Sequence, residues 1–384
     1  LDEKSNQRWR VGLLAGGLIV FMVALFHIVL ESRPENELES CRFQGPAVPQ
    51  AGVGEALPAS LDEQHREGPG LPGVTSLAPV QAEESWRLGF GMSTKANPSW
   101  WAEALGAGWY LDWAAARRPA YMTPMHWQLV RVAPECKRPS VDRAAQLARR
   151  FPGGLWIIGN EPDVIWQDNL TPEAYAAAYH DLYQAIKRVD PSALLAAGGI
   201  SQATPLRLAY LDRVLQAYEE RYGVSMPVDI WTVHGFVLRE ERGIWGVEIP
   251  PGFSDEHGRL YDVSDHARLD LFETQLRSFR LWMAENGYRD APLVLTEFGI
   301  LMPAEYGFPE DLVKAYMRDT FALLFEMRDY ATGYPEDDNR LVQQWAWFSL
   351  SDSSYPIGNL ADLRAGRLTP IGLVYREYVL GLEE

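Results

Sequence analysis

Leu155-Trp156-Ile157-Ile158-Gly159-Asn160-Glu161-Pro162-Asp163 and, 130 or so residues later, Leu293-Val294-Leu295-Thr296-Glu297-Phe298-Gly299 decide how this chain is read. Each opens as a short apolar run of the length and composition of a buried strand. Each then stops on a glutamate. A carboxylate at the end of an apolar strand is costly unless it is paired or used, so two such endings in one chain direct attention to a shared site.

Working outward, the two stretches are the fourth and seventh of eight apolar runs: Leu88–Gly91, Gly108–Trp113, His126–Val132, Leu155–Asn160, Leu194–Ile200, Asp229–Phe236, Leu293–Phe298 and Val342–Leu350. Amphipathic stretches of helix length lie between them, including Pro172–Val189, Pro205–Tyr222, Ala267–Asn286 and Glu310–Tyr330. Thr171-Pro172 is a helix-start signal, a capping hydroxyl followed by proline at the first helical position. Eight alternations in about 300 residues predict an α/β fold of the (β/α)8 barrel type. A doubly wound open sheet is the competitor, but Leu88-Gly89-Phe90-Gly91-Met92-Ser93 lacks the Gly-rich phosphate loop expected after its first strand.

Before the barrel, Val11–Leu30 is an almost unbroken apolar run. As a helix it would span about 30 Å, the thickness of a bilayer's hydrocarbon. Lys4, Arg8 and Arg10 precede it, while Glu31, Glu35, Glu37 and Glu39 follow. This asymmetry predicts a single-pass anchor in the cell membrane, with the N-terminus cytoplasmic and the C-terminal domain extracytoplasmic. A cleaved signal peptide is the rival, disfavoured by the length of the run and the lack of a small-residue cleavage site. Residues 31–85 alternate Pro and Gly without apolar period and read as a linker. The expected organisation is therefore 1–30 stub and transmembrane helix, 31–85 linker and 86–384 barrel.

Composition narrows the function. The net charge of −17 repels phosphate backbones and argues against nucleic acid as a partner; a neutral polysaccharide would not feel it. Seven histidines show no ligand spacing, so no metal and no cofactor is expected, and neither a Walker loop nor a Gly-x-Ser-x-Gly elbow is present. With two cysteines the chain is no disulfide scaffold; one Cys41–Cys136 bridge stays open.

In a barrel the active site gathers at the C-terminal strand ends, and the fourth and seventh strands stand roughly opposite one another. Glu161 and Glu297 can thus face one cleft, and two carboxyls flanking a bond are what glycoside hydrolysis needs. Asn160 precedes one of them, and His234 ends the neighbouring sixth run. Trp345 and Trp347 alternate about Ala346 and share one face of the eighth strand, where either could stack under a sugar or pack in the core. Trp109, Trp113 and Arg131 are further substrate-binding candidates. Asp163 reads as a helix-start carboxylate rather than a catalyst.

On Asn160-Glu161-Pro162 and Thr296-Glu297-Phe298-Gly299 the chain resembles the clan A glycoside hydrolases, and within the clan it looks most like the Asl1-like family, glycoside hydrolase family 128. Trp109-Tyr110-Leu111-Asp112-Trp113, Pro124-Met125-His126-Trp127, Val233-His234 and Trp345-Ala346-Trp347-Phe348 extend the resemblance over residues 86–384. Asp112 departs from it, standing where the pattern has Asn. The resemblance implies a retaining glycosidase with Glu161 as general acid/base, Glu297 as nucleophile, Asn160 on the sugar 2-hydroxyl, and β-1,3-glucan as substrate. Two other expectations stay beside it: a non-catalytic accessory subunit of a membrane complex, and a transglycosylase.

Overall fold

The structure is a computed structural model that describes residues 82–115, 124–134 and 136–381. The apolar run Val11–Leu30, nearly all of the 31–85 stretch, and Cys41 with its pairing to Cys136 lie outside the described residues. Among the described residues no helix is long and apolar enough to cross a membrane.

In chain order the strands of the main sheet are β1 (Leu88–Gly91), β2 (Trp109–Leu111), β3 (Met125–Ala133), β4 (Cys136–Arg138), β5 (Leu155–Ile158), β6 (Leu194–Ala197), β7 (Trp231–His234), β8 (Leu293–Phe298) and β9 (Gln344–Trp347). All but β4 pair in parallel, in the order β6-β5-β3-β2-β1-β9-β8-β7. Parallel bridges Ala196–Ile230 and Ile200–Val233 then join β6 to β7 and close the ring. β4 folds back antiparallel on β3. The result is an eight-stranded parallel barrel, as the alternating sequence predicts.

Helices α1 (Pro98–Leu105), α2 (Val141–Arg150), α3 (Pro172–Val189), α4 (Pro205–Tyr222), α5 (Leu269–Glu285), α6 (Glu310–Glu326) and α7 (Pro370–Leu380) follow the strands; between β2 and β3 no helix occurs among the described residues. Four of them start with proline at the first position. The preceding side chain caps three: Asn97, Thr171 and Thr369 each accept a backbone N–H of the first turn. Thr204 is diverted, giving its hydroxyl to Glu240 at 2.6 Å.

Strand parity sorts the side chains. Trp109, Leu111, Trp127, Leu129, Ile157, Ala196, Ile230, Val294 and Ala346 fill the barrel's interior. Two indoles fit there because their neighbours are small. A Cβ on Gly89 would lie 2.4 Å from the Trp109 ring. Ala346 takes the inward position of β9, which sends Trp345 and Trp347 outward. They pack against Phe321 and Phe325 of α6 and are fully buried. The two tryptophans do share a face, as expected, but it is the helix-facing one, so neither reaches a substrate. Trp109 is likewise no substrate contact: it is fully buried in the barrel, its Nε1 donating to the Arg87 carbonyl at 3.1 Å.

Because Trp109 is walled in, it cannot swing away from an added methyl. Gly89→Ala is expected to cost roughly 1–3 kcal/mol by overpacking, read as a lower midpoint in thermal denaturation followed by circular dichroism. An unchanged midpoint would show that the barrel interior has room that the geometry denies.

Candidate active site

The end of β5 is shaped before it is charged. Gly159 takes φ +91° and Glu161 φ +45°, so the chain leaves the strand in a tight left-handed path. Buried Asp168 holds this path by accepting the backbone N–H groups of Asn160 at 2.7 Å and Val132 at 3.0 Å, while Arg131 Nε donates to its other oxygen at 2.6 Å. Burial pushes the Asp168 carboxyl up to about 6, against the pull of the Arg131 charge and the two backbone donors. The Glu161 N–H donates to the Gly199 carbonyl at 2.9 Å, tying the loop to the end of β6.

At the end of β7, His234 is buried between the two glutamates. Its Nδ1 lies 3.0 Å from Glu161 Oε1 and its Nε2 lies 3.4 Å from Glu297 Oε1. Gly199 makes the space: a Cβ there would sit 2.8 Å from the imidazole Cδ2. Glu297, within β8, also accepts the Trp113 indole N–H at 2.6 Å on Oε1. Burial presses the His234 imidazole towards its neutral form, but the Glu297 charge, then the hydrogen bond and charge of Glu161, outweigh this and raise its pKa. For Glu297 burial dominates and pushes the carboxyl up to about 7. His234 pulls it down, Glu161 pushes it up again, and the Trp113 donor and Arg131 pull it down. An indole N–H can only donate, so the Trp113 bond suits the ionised form of Glu297 and opposes part of the rise that burial causes.

Above these groups opens a cavity of about 820 Å³, lined by Glu161, Glu297, Asn160, Arg131 and Trp113 among others. Five of the nine side chains expected at the site thus meet in one cleft, and His234 contacts both glutamates. Trp109, Trp345 and Trp347 are the three that do not come. Asp163 is not a helix-start carboxylate: it is buried on the Arg207 guanidinium, with Ser201 Oγ donating to it at 3.0 Å. The aromatic walls come from residues that periodicity did not single out: Phe236, Phe348, Tyr355, Trp166 and Trp245. Phe348 is the first residue past β9, where the chain leaves strand parity. Trp166 and Trp245 sit in loops, 37% and 36% exposed, flat apolar faces left open beside a cleft. Among the described residues no group of three or more His, Cys, Asp or Glu is arranged to hold a metal ion.

The fold and site define a parallel (β/α)8 barrel with a carboxylate pair at the C-terminal ends of its fourth and seventh barrel strands. No protein-family model and no curated protein matches the chain. Solved structures do. An endo-β-1,3-glucanase of family GH128, subgroup II, from Sorangium cellulosum aligns at 17% identity and TM-score 0.52, covering 76% of this chain and 98% of that one. A second subgroup II endo-β-1,3-glucanase, from Pseudomonas viridiflava, aligns at 17% identity and TM-score 0.50, over 76% and 96%. A subgroup III curdlan-specific exo-β-1,3-glucanase from Blastomyces gilchristii, in complex with glucose, aligns at 18% identity and TM-score 0.50, over 76% and 98%. The chain shares the fold of these GH128 β-1,3-glucanases.

A raised carboxyl makes stability fall as pH rises. Glu297 goes from an ordinary 4.5 to about 7 on folding, so between those values the folded chain binds more protons than the unfolded one. Its contribution is fully present below 4.5 and lost by about 7; the raised His234 acts in the same direction. Glu297→Gln removes this slope. Its melting temperature should match wild type near pH 5 and exceed it at pH 8 by on the order of 3 °C. A gap that does not change with pH would refute the raised Glu297 carboxyl.

Proposed function

We propose that the protein is a retaining glycoside hydrolase acting on a β-linked glucan, with β-1,3-glucan as substrate. One observation carries the reading: two glutamates from segments far apart in sequence flank a single buried imidazole and open to the same cleft. The likeness of fold to β-1,3-glucanases supports the choice of substrate, and an uncharged polymer suits a chain of net charge −17.

Glu161 protonates the glycosidic oxygen as the bond to the anomeric carbon breaks, and Glu297 attacks that carbon to form a glycosyl-enzyme intermediate. Glu161 then takes a proton from the water that releases the sugar. Trp113 and His234 both lean on Oε1 of Glu297, which leaves Oε2 as the attacking oxygen. His234, with its raised pKa, sits against Glu161 and Glu297 alike and steadies whichever carboxylate is charged at each step. A sugar hydroxyl in place of water would give transglycosylation through the same intermediate. The apolar Val11–Leu30 run, with basic residues before it and acidic ones after it, supports a single-pass anchor with this chemistry outside the cell.

Laminarin, curdlan, a β-1,4-glucan and aryl β-glucosides make the test panel. Turnover is expected on the β-1,3-linked members, with the product's anomeric configuration retained when followed by proton NMR. Glu161→Gln and Glu297→Gln should each lower kcat by at least ~10²–10⁴-fold with melting curves still cooperative. Wild-type rates in either variant, or inverted product, would overturn the assignment.

A further inference from the structure

We propose that Asp112 is a substrate-binding residue that demands a hydroxyl donor from the sugar next to the cleaved bond, with His126 and Gln128 as its positioning residues. The proposal rests on the glycosidase reading above and adds a specificity element to it.

Asp112 follows β2 directly and precedes Trp113, whose indole holds Glu297. It lines the same cavity as the two glutamates, its side chain 24% exposed over a His126 that is 1% exposed. His126 Nε2 lies 2.7 Å from Asp112 Oδ1, and Gln128 Nε2 lies 2.9 Å from His126 Nδ1. The imidazole stacks on Tyr110, with ring centroids 4.6 Å apart and an 18° interplanar angle. A carboxylate can only accept, so the imidazole Nε2 carries a proton and donates it to Asp112; its Nδ1 then accepts from the Gln128 amide. The chain of donors runs one way and ends on Asp112.

No other described donor reaches this carboxylate, so its remaining acceptor capacity is turned to the cavity. Two other carboxylates in the cleft wall hold loop backbone, whereas Asp112 is held by a side chain. Glu248 accepts the Gly243 N–H at 2.7 Å, and Asp352 accepts those of Ser354 and Tyr355 at 2.7 and 2.9 Å. Asp112 is therefore an acceptor held rigidly by a buried, stacked ring, and beyond His126 no described donor reaches it. Such a group binds a sugar O–H and rejects a sugar that presents an acceptor in its place, because two acceptors would then face each other as the sugar covers the carboxylate.

The full chain is assayed on 4-nitrophenyl β-laminaribioside and on analogues carrying fluorine in place of one hydroxyl at a time, since fluorine only accepts. In Asp112→Asn the amide oxygen takes the His126 proton and the amide N–H2 faces the cavity, so the polarity offered to the sugar is inverted. Asp112→Asn is expected to lose roughly 10- to 100-fold in kcat/KM on the parent glycoside. It should regain most of that on one analogue, relative to wild type on the same analogue, a ratio that cancels fluorine's inductive effect. Asp112→Ala should lose on the parent and regain on none. Parallel profiles for wild type and Asp112→Asn across the analogues would overturn the proposal. If wild type binds these glycosides without cleaving them, the same comparison is made on Kd from tryptophan fluorescence. Failure of the hydrolase reading then leaves the Asp112 assignment decided on its own, while failure to bind any member overturns both.

Discussion

The site depends on one imidazole placed between two carboxylates. Without His234, Glu161 and Glu297 would face each other in a buried cleft with no cation between them, and ionising both would be strongly disfavoured. With it, each carboxylate has a partner on a different ring nitrogen. The charge on the ring compensates for whichever glutamate is ionised. That ring needs Gly199 behind it, since any side chain there would press on its Cδ2 and Nε2. A backbone choice just past β6 therefore sets the electrostatics of groups just past β5 and on β7 and β8.

Two buried ionic clusters hold the loops on which this arrangement stands. Asp168 ties the β3 and β5 ends together through Val132, Asn160 and Arg131. Arg207 of α4 does the larger job. Its guanidinium donates to Asp163, to Glu240 at 2.9 Å, and to the carbonyls of Val247 and Glu248 at 2.7 and 2.8 Å. It thus joins the loop after Glu161 to the loop that carries Trp245. Buried pairs of this kind contribute little net stability once desolvation is counted, yet removing one partner strands the other. Their value here is that they fix where loop backbone runs, and so where the cleft's walls stand.

The fold and the meeting of the two glutamates were legible in the sequence because both depend on strong contrasts. Apolar runs at regular spacing mark strands, and a glutamate ending such a run stands out against it. His234 was readable for the same reason. Trp345 and Trp347 were not. Alternation about Ala346 says that Trp345 and Trp347 share a face, but period two is blind to which face looks inward. The information lay in volume rather than polarity. A barrel interior holding Trp109 and Trp127 needs small neighbours, and Gly89 and Ala346 are the small residues, so the tryptophans beside Ala346 had to turn out. Asp163 misled for a different reason: its partner Arg207 is 44 residues away in α4, and no local pattern announces a contact of that range. Trp166 and Trp245 sit in loops, where neither period applies.

Backbone strain marks the cleft independently of its charges. Six described residues other than glycine have φ between +45° and +56°: Trp113, Glu161, Asn169, Glu248, Asp338 and Asn339. Asn and Asp tolerate the left-handed region because their short polar side chains bond locally, which accounts for three. The other three, Trp113, Glu161 and Glu248, have no such excuse, and all three line the same cavity. Each conformation costs about 1–3 kcal/mol and persists only where surroundings over-determine it. The surroundings are visible: Gly199 O accepts from Glu161 N, Glu297 from the Trp113 indole, and Glu248 Oε1 from Gly243 N. A chain under no demand at this cleft would relax these residues or replace them with glycine or asparagine. Keeping large side chains in that conformation makes sense only if their side chains are needed where the strained backbone puts them, along the wall of this one cleft.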